Sequence, residues 1–256
     1  MKRNVVLSLI AGGLSLLTVT GANAWSVATN VPGTAITSVP FVISTPGNYY
    51  LASNLSDTAP GAIAIVITAN EVTLDLNGHT LAGAGPNAFQ VGILVLGSED
   101  VVIQEGDIES FEVGVDWVPG NGGINAKNRV EDVNFDNNEI GVMSESGTSN
   151  WVKQCVIDGG DTGVIFNDNI GSRVSHSIFE EQQASQSVGL GTAIQTLASK
   201  GCLFDENLIA HSTTPGGNAD GILASSADKV RFDTFVNYTT TVPIVGAKDV
   251  TDLSEN

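Results

Sequence analysis

Residues that favour strands recur along this chain in short runs bounded by Gly, Asn or Asp: Ile63–Ile67, Val72–Leu76, Gly92–Leu96 and Val101–Ile103. Their β-branched, short-period character predicts strands, and helical periodicity is nearly absent after the first two dozen residues. These runs sit inside a longer pattern. An apolar pair five residues apart recurs seven times, at Leu76/Leu81, Ile103/Ile108, Val130/Phe135, Val152/Ile157, Val174/Phe179, Phe204/Ile209 and Val230/Phe235, with 22 to 30 residues between copies. After each of the first six pairs comes a small residue followed by an apolar one: Gly92-Ile93, Gly114-Val115, Gly141-Val142, Gly163-Val164, Ala193-Ile194 and Gly221-Ile222. In four of six cases, eleven residues separate that small residue from the next copy's first apolar position.

A repeat of this length made of short strands signals a solenoid, in which stacked copies place equivalent positions in columns. Two amphipathic helices do not fit into 22 residues that include a Gly-rich turn. A propeller blade needs four strands and roughly 40–50 residues. The pattern predicts an all-β chain, a single-stranded parallel β-helix of about 7–8 coils over residues 61–246. Residues 25–60 are expected to form an N-terminal cap region with irregular strands, shielding the edge of the first coil. Residues 247–256 read as a C-terminal tail.

At Pro40–Leu51, followed by Glu71–Leu81 and the copies of the form V-x-x-x-x-I with a Gly-apolar step, the chain resembles the right-handed parallel β-helix proteins of the pectate-lyase-like superfamily. The resemblance covers about residues 38–246. It implies the right-handed sense of the coil and implies chemistry only weakly, because that superfamily holds lyases, hydrolases, epimerases and adhesins.

The first residues predict the compartment. Lys2 and Arg3 precede an apolar run from Val5 to Val19, and Gly21-Ala22-Asn23-Ala24 offers a small-residue cleavage site near Ala24. Residues 1–24 therefore read as a secretory signal peptide and the protein as secreted or periplasmic. No later segment has the ~18 apolar residues that a membrane-spanning helix needs, so no membrane insertion is expected. The chain has 28 acidic and 10 basic residues, a formal charge of −18. Removing Lys2 and Arg3 leaves 28 against 8, near −20. A nucleic-acid partner is excluded at this charge, because such binding rests on Lys and Arg neutralising phosphates.

Two cysteines in an exported protein suggest a disulfide. The columns argue otherwise. Cys155 lies three places after the first apolar residue of its copy, and Cys202 two places before that of a copy two coils on. Two rungs of ~4.8 Å put them ~9–10 Å apart, beyond the ~7 Å limit on Cα separation. Buried free thiols are the expectation.

Long insertions interrupt the repeat at 82–91, 180–192 and 210–220, in the turn after the second apolar residue, and at 116–129 in the next turn. Loops on one side of a solenoid often build a binding face. Gln182, Gln183, Gln186, His211 and Asn218 have the side chains that hydrogen-bond sugar hydroxyls.

Acidic residues also fall in columns. Glu109, Asp136, Asp158 and Glu180 stand one place after the second apolar residue in successive coils, and Glu112, Glu139 and Asp161 three places further on. Carboxylates ~4.8 Å apart along a stack raise one another's pKa or recruit cations, and hard oxygen ligands suit Ca²⁺. Solvated turn residues account for the same pattern. The Gly-Gly-x-Gly-x-Asp repeat of Ca²⁺-binding β-rolls is absent.

A cationic and aromatic cluster stands out against this background. Arg129, Trp151 and Arg173 precede the first apolar residue in three consecutive coils, and Glu131, Lys153 and Ser175 follow it. Alternation along a strand turns all six outward, into one patch suited to an anionic sugar ring. Candidate substrate-binding residues are therefore Arg129, Trp151 and His211. Lyases of the resembled superfamily break uronic-acid polymers by β-elimination with an Arg or Lys base, which makes Lys153 and Arg173, with His176 on a nearby column, the catalytic candidates. Ion pairing with Glu131 and neighbouring acids explains the same residues without catalysis. The functional expectation is a carbohydrate-interacting protein, a Ca²⁺-assisted lyase of acidic polysaccharide in its enzymatic form. The alternative is a non-catalytic surface or structural β-helix. If it is an enzyme, a lyase is favoured over a glycoside hydrolase.

Overall fold

The computed structural model describes residues 33–121, 125–180, 191–210, 220–236, 244–247 and 249–251. Among them every regular element is a β-strand, and the strands pair in parallel. The chain is a parallel β-solenoid in which each coil lays one strand on each of three faces.

The first face is a sheet of nine strands in coil order: Phe41–Ile43, Ile63–Ile67, Val91–Leu96, Val113–Val118, Ile140–Glu145, Thr162–Asn167, Thr192–Leu197, Asp220–Leu223 and Ile244–Val245. The second holds Thr34–Ile36, Gly47–Leu51, Val72–Asp75, Trp151–Lys153, Arg173–Ser175, Leu203–Asp205, Lys229–Arg231 and Asp249–Thr251. The third holds Leu55–Ser56, Thr80–Ala82, Val156–Asp158, Ile178–Glu180, Leu208–Ala210 and Thr234–Val236. Two eight-residue strands, Val102–Glu109 and Arg129–Asp136, run through the corner and serve the second and third faces together. Seven regular coils run from Ile63 to Val236. Over its described part, the segment 25–60 contributes strands to all three faces. Phe41–Ile43 is in register with Ile65–Ile67, and Tyr49 with Leu74.

Period-two alternation explains the core. The apolar pair of each coil points inward: Ile103, Val130, Val152, Val174 and Phe204 on the second face and Ile108, Phe135, Ile157 and Phe179 on the third are at most 1% exposed. Ile93, Val115, Val142, Val164, Ile194 and Ile222 fill the core from the first face. Because coils stack in register, each buried side chain lies against its equivalents above and below.

The strand corners use the left-handed backbone region at fixed positions. Asp132, Gln154, His176, Glu206 and Phe232, each two residues past the first apolar position, have φ between 54° and 57°. That bend separates the second face from the third.

Polar side chains line the interior of two corners as ladders. Asn150 Oδ1 accepts the Asn128 N–H at 3.0 Å, and Asn128 Oδ1 accepts the Val101 N–H at 3.1 Å. Ser172 and Asp228 continue the column, and Asp228 Oδ1 accepts the Cys202 N–H at 2.9 Å. A second ladder runs through Ser177, Asn207 and Asp233, each accepting the N–H of the coil before. These groups satisfy backbone donors that a turn would otherwise leave buried and unpaired.

Two sequence expectations are corrected here. Ile103 pairs with Leu74, not Leu76, so the first regular coil carries two extra residues between its second and third faces. Leu76 is buried as well, which is why spacing favoured it. The insertion beginning at 116 starts later, because the strand continues to Val118. Cys155 and Cys202 are free and buried, as the columns predicted. Burial pushes both thiols up to about 12. Residues 1–24, read as a signal peptide, the loop residues Gln182, Gln183, Gln186, His211 and Asn218, and the tail beyond Thr251 lie outside the described residues.

Candidate functional site

The second face carries the cationic cluster, and strand register assembles it. Arg129 is in register with Trp151 and Trp151 with Arg173, while Glu131, Lys153, Ser175 and Asp205 form the neighbouring outward column. Inward neighbours Val130, Val152 and Val174 anchor these strands in the core, so alternation fixes the outward direction.

Trp151 is the centre of the patch. The Lys153 ammonium lies 5.4 Å from its ring centroid and the Arg173 guanidinium 5.2 Å. Its indole N–H donates to Ser175 Oγ at 2.8 Å. Ser175 points outward but is fully buried. The cations are also held from outside the ring. Glu131 lies 3.1 Å from Arg129 Nε and 4.0 Å from Lys153 Nζ, and Asp205 lies 2.6 Å from Arg173 Nη2. Glu131, Lys153, Arg173 and Asp205 are all partly buried, which strengthens these contacts relative to fully exposed pairs. The structure thus brings Arg129, Trp151, Lys153 and Arg173 together. His176 sits at the corner beyond Ser175 and is engaged with Glu206, Nε2 to Oε2 at 2.6 Å.

Three of the four inserted loops stand elsewhere, and the fourth, 116–129, ends at Arg129 beside the patch. The ends of 180–192 and 210–220 are set at the corner from the third face to the first, with the third face between them and Trp151.

Both acidic columns are in register. Glu109, Asp136, Asp158 and Glu180 stack on the third face. Glu112, Glu139 and Asp161 stack at the next corner, where the Asp161 N–H bonds the Glu139 carbonyl at 2.9 Å. Burial raises the Glu139 carboxyl, and the nearby charges of Asp161 and Glu112 raise it further. Among the described residues, no three His, Cys, Asp or Glu side chains converge as a metal site does. Among the described residues the carboxylates form rows, not a cage.

Two carboxyl groups escaped the sequence analysis. Asp116 lies outward on the first face, aligned with Leu94 and Met143. Burial, then the charge of Glu145, pushes it up to about 7, and its Oδ1 is buried without a hydrogen-bond partner. Asp233 is fully buried, and burial pushes it up to about 7. Asp116 directly follows the Val115 of a Gly-apolar step, so the repeat itself marked it as a strand position. Asp233 could have been found from its column, three places after Val230, which Asn207 and Ser177 share.

The chain matches no protein-family model and no curated protein sequence. Its fold is similar to that of an alginate lyase from Paenibacillus sp. str. FPU-7, with a TM-score of 0.66, 12% identity and 84% of each chain covered. It is also similar to the enzymatically active domain of tailspike protein 2 of bacteriophage CBA120, with a TM-score of 0.50 and 14% identity. That match covers 83% of this chain and 38% of the tailspike domain. At these identities the likeness is one of fold.

Proposed function

We propose that this is an exported protein that binds acidic polysaccharide on its second face, with Trp151 as the stacking platform and Arg129, Lys153 and Arg173 as carboxylate partners. The observation that carries this reading is the placement of two cations within 5.4 Å of one indole in a chain of formal charge −18. Aromatic rings stack on the apolar faces of sugars, and cations beside them meet the carboxylates of uronate units. Glu131 and Asp205 hold these cations when no ligand is bound, and a polymer carboxylate would take over their role.

A lyase activity is the second reading, favoured by the fold likeness to an alginate lyase. In β-elimination a base removes the proton beside the uronate carboxylate, the glycosidic C–O bond breaks as a C=C bond forms, and the leaving oxygen takes a proton. Lys153 or Arg173 would be the base. Their carboxylate partners support binding over turnover.

The test is titration of alginate, polygalacturonate and a neutral glucan into the purified protein, followed by ultraviolet absorbance of the same mixtures. Saturable binding of the uronate polymers alone, lost in Trp151→Ala, supports the proposal. Growth of the unsaturated-uronate chromophore, lost in Lys153→Ala or Arg173→Ala, makes the protein a lyase. Equal binding of the neutral glucan, or binding unaffected by Trp151→Ala, rejects the site.

A further inference from the structure

The three faces differ in what they turn outward. On the second face the central outward column, Gln104 through Glu131, Lys153, Ser175 and Asp205 to Arg231, is polar throughout. The third face carries the row from Glu109 to Glu180. The first face is the reverse. Its central outward column runs in register from Val42 to Val245 across all nine strands, and only Asp116 and Gln195 in it are polar. These are outward positions: they alternate with Ile65, Ile93, Val142 and Val164, all 0% exposed. Leu96 and Leu197 widen the apolar strip at 38% and 45% exposure, and Val42 and Val245 end it at 60% and 39%. Scattered apolar side chains on a surface are ordinary, but a strip that is apolar on seven of nine adjacent strands marks an interaction site.

We infer that the first face is a self-association surface, on which a second copy of this chain packs sheet to sheet. Area is the first argument. Nine strands at ~4.8 Å, averaging about five residues at ~3.3 Å, give a face of about 40 by 16 Å, so about 600 Å² per partner, the lower end of the size of a specific interface. Charge is the second. Two copies of a chain at −18 repel, and contact through the third face would bring the rows of Glu109, Asp136, Asp158 and Glu180 together. On the first face the central column holds one acid in nine positions and the column of Leu197 adds Glu145, so two copies can approach there with less charge to desolvate than on the third face. Shape is the third. In-register rows of Val, Leu, Ile and Met present the same surface on each partner, as a two-fold interface requires, and sheets pack face to face at ≈ 10 Å with such side chains between them. The corner row Glu112, Glu139 and Asp161 then lies at the rim, where interfaces are polar and wet. This surface is separate from the Trp151 patch, and the two can be tested independently.

The experiment is sedimentation velocity of the purified full chain over a range of concentrations, alongside a Leu94→Glu/Ile165→Glu double variant and an Asp116→Leu variant. Both sets of positions face outward, and far-ultraviolet circular dichroism identical to the parent keeps the comparison valid. The parent should sediment as a dimer. The double variant should raise the dissociation constant by about 100-fold or more, because it buries charge in an apolar contact. Asp116→Leu should lower it. A parent and Asp116→Leu variant that are both monomeric at every concentration overturn the inference, as does a dimer that persists undiminished in the double variant. Monomeric protein that instead binds neutral lipid vesicles, and loses that binding in the double variant, overturns it as well by assigning the face another occupant.

Discussion

Asp233 Oδ1 accepts two hydrogen bonds from Asn207, from its backbone N–H at 2.7 Å and its side-chain Nδ2 at 2.9 Å, while Asp233 Oδ2 is buried with no partner. The two residues hold the same position in consecutive coils. Their column elsewhere takes Ser177 and Cys155, so the site requires an acceptor oxygen only where a backbone N–H awaits one. A carboxylate there is over-supplied with charge. Its folded-state pKa, about 7, lies above the usual 3.8. Stability is therefore free of the penalty below the unfolded pKa, declines as pH rises between the two values, and carries the full penalty above about 7. Asp233→Asn keeps the acceptor and removes the charge. The amide left unpaired costs the same at every pH, so the test is the slope. Relative to the parent, the variant should gain unfolding free energy between about pH 4 and about pH 8, by on the order of a few kcal/mol, measured by urea unfolding at each pH. Parallel pH profiles for the two proteins would show that Asp233 titrates normally.

Asn150 anchors the other ladder. It accepts the Asn128 N–H and donates to Asn125 Oδ1 at 2.9 Å and Ser144 Oγ at 3.0 Å, all within the buried corner. Asn150→Ala leaves several buried polar groups unsatisfied and should cost roughly 2–4 kcal/mol in urea unfolding. Asn54→Ala, on an exposed bond to Thr80 N–H, should cost well under half as much.

Two glycines separate close approach from backbone conformation. A Cβ on Gly163 would lie 2.5 Å from the Ala193 carbonyl oxygen and 2.6 Å from the Phe179 ring. A Cβ on Gly201 meets nothing within 4 Å, but its φ is +68°. Gly163→Ala should destabilise by about 1–3 kcal/mol through overpacking and Gly201→Ala by about 1–2 kcal/mol through the left-handed backbone. A crystal structure of the first should show displaced coils and of the second an undisturbed stack.

For the patch, Trp151→Phe retains a ring between the two cations and loses the bond to Ser175, whereas Trp151→Ala loses both. Uronate affinity should fall several-fold in the first and by more than about tenfold in the second, measured by calorimetry. Lys153→Ala/Arg173→Ala should also flatten the salt dependence of binding, since fewer charges are neutralised.

Divalent cations at the acidic rows would act by relieving repulsion between carboxylates ~4.8 Å apart. Millimolar Ca²⁺ should raise the melting temperature above that in NaCl of equal ionic strength, and Asp136→Asn/Asp158→Asn should remove most of the difference. An unchanged melt in Ca²⁺ and in EDTA means the rows are merely solvated.

The columns were legible in the sequence because parallel coils stack in register, so a constant spacing in the chain becomes adjacency in space. That rule alone placed Arg129 beside Trp151 and Trp151 beside Arg173, and it set Asp136 beside Asp158. It also kept Cys155 and Cys202 apart. It failed where the spacing changed without an apolar marker. The two extra residues between Leu74 and Leu81 made Leu76 look equivalent to Ile103, since both Leu74 and Leu76 are buried. What the tertiary structure decided is which side of each coil meets which environment. Asp116 and Asp233 are both single acids within strand-like runs, yet one lies on an apolar outer face and the other inside a turn. Asp116 owes its raised carboxyl to burial and to the charge of Glu145 on the next coil, and Asp233 owes its own to burial that outweighs the lowering effect of its bonds from Asn207, 26 residues away. Burial and partner are properties of the stack, and no local run of residues contains them.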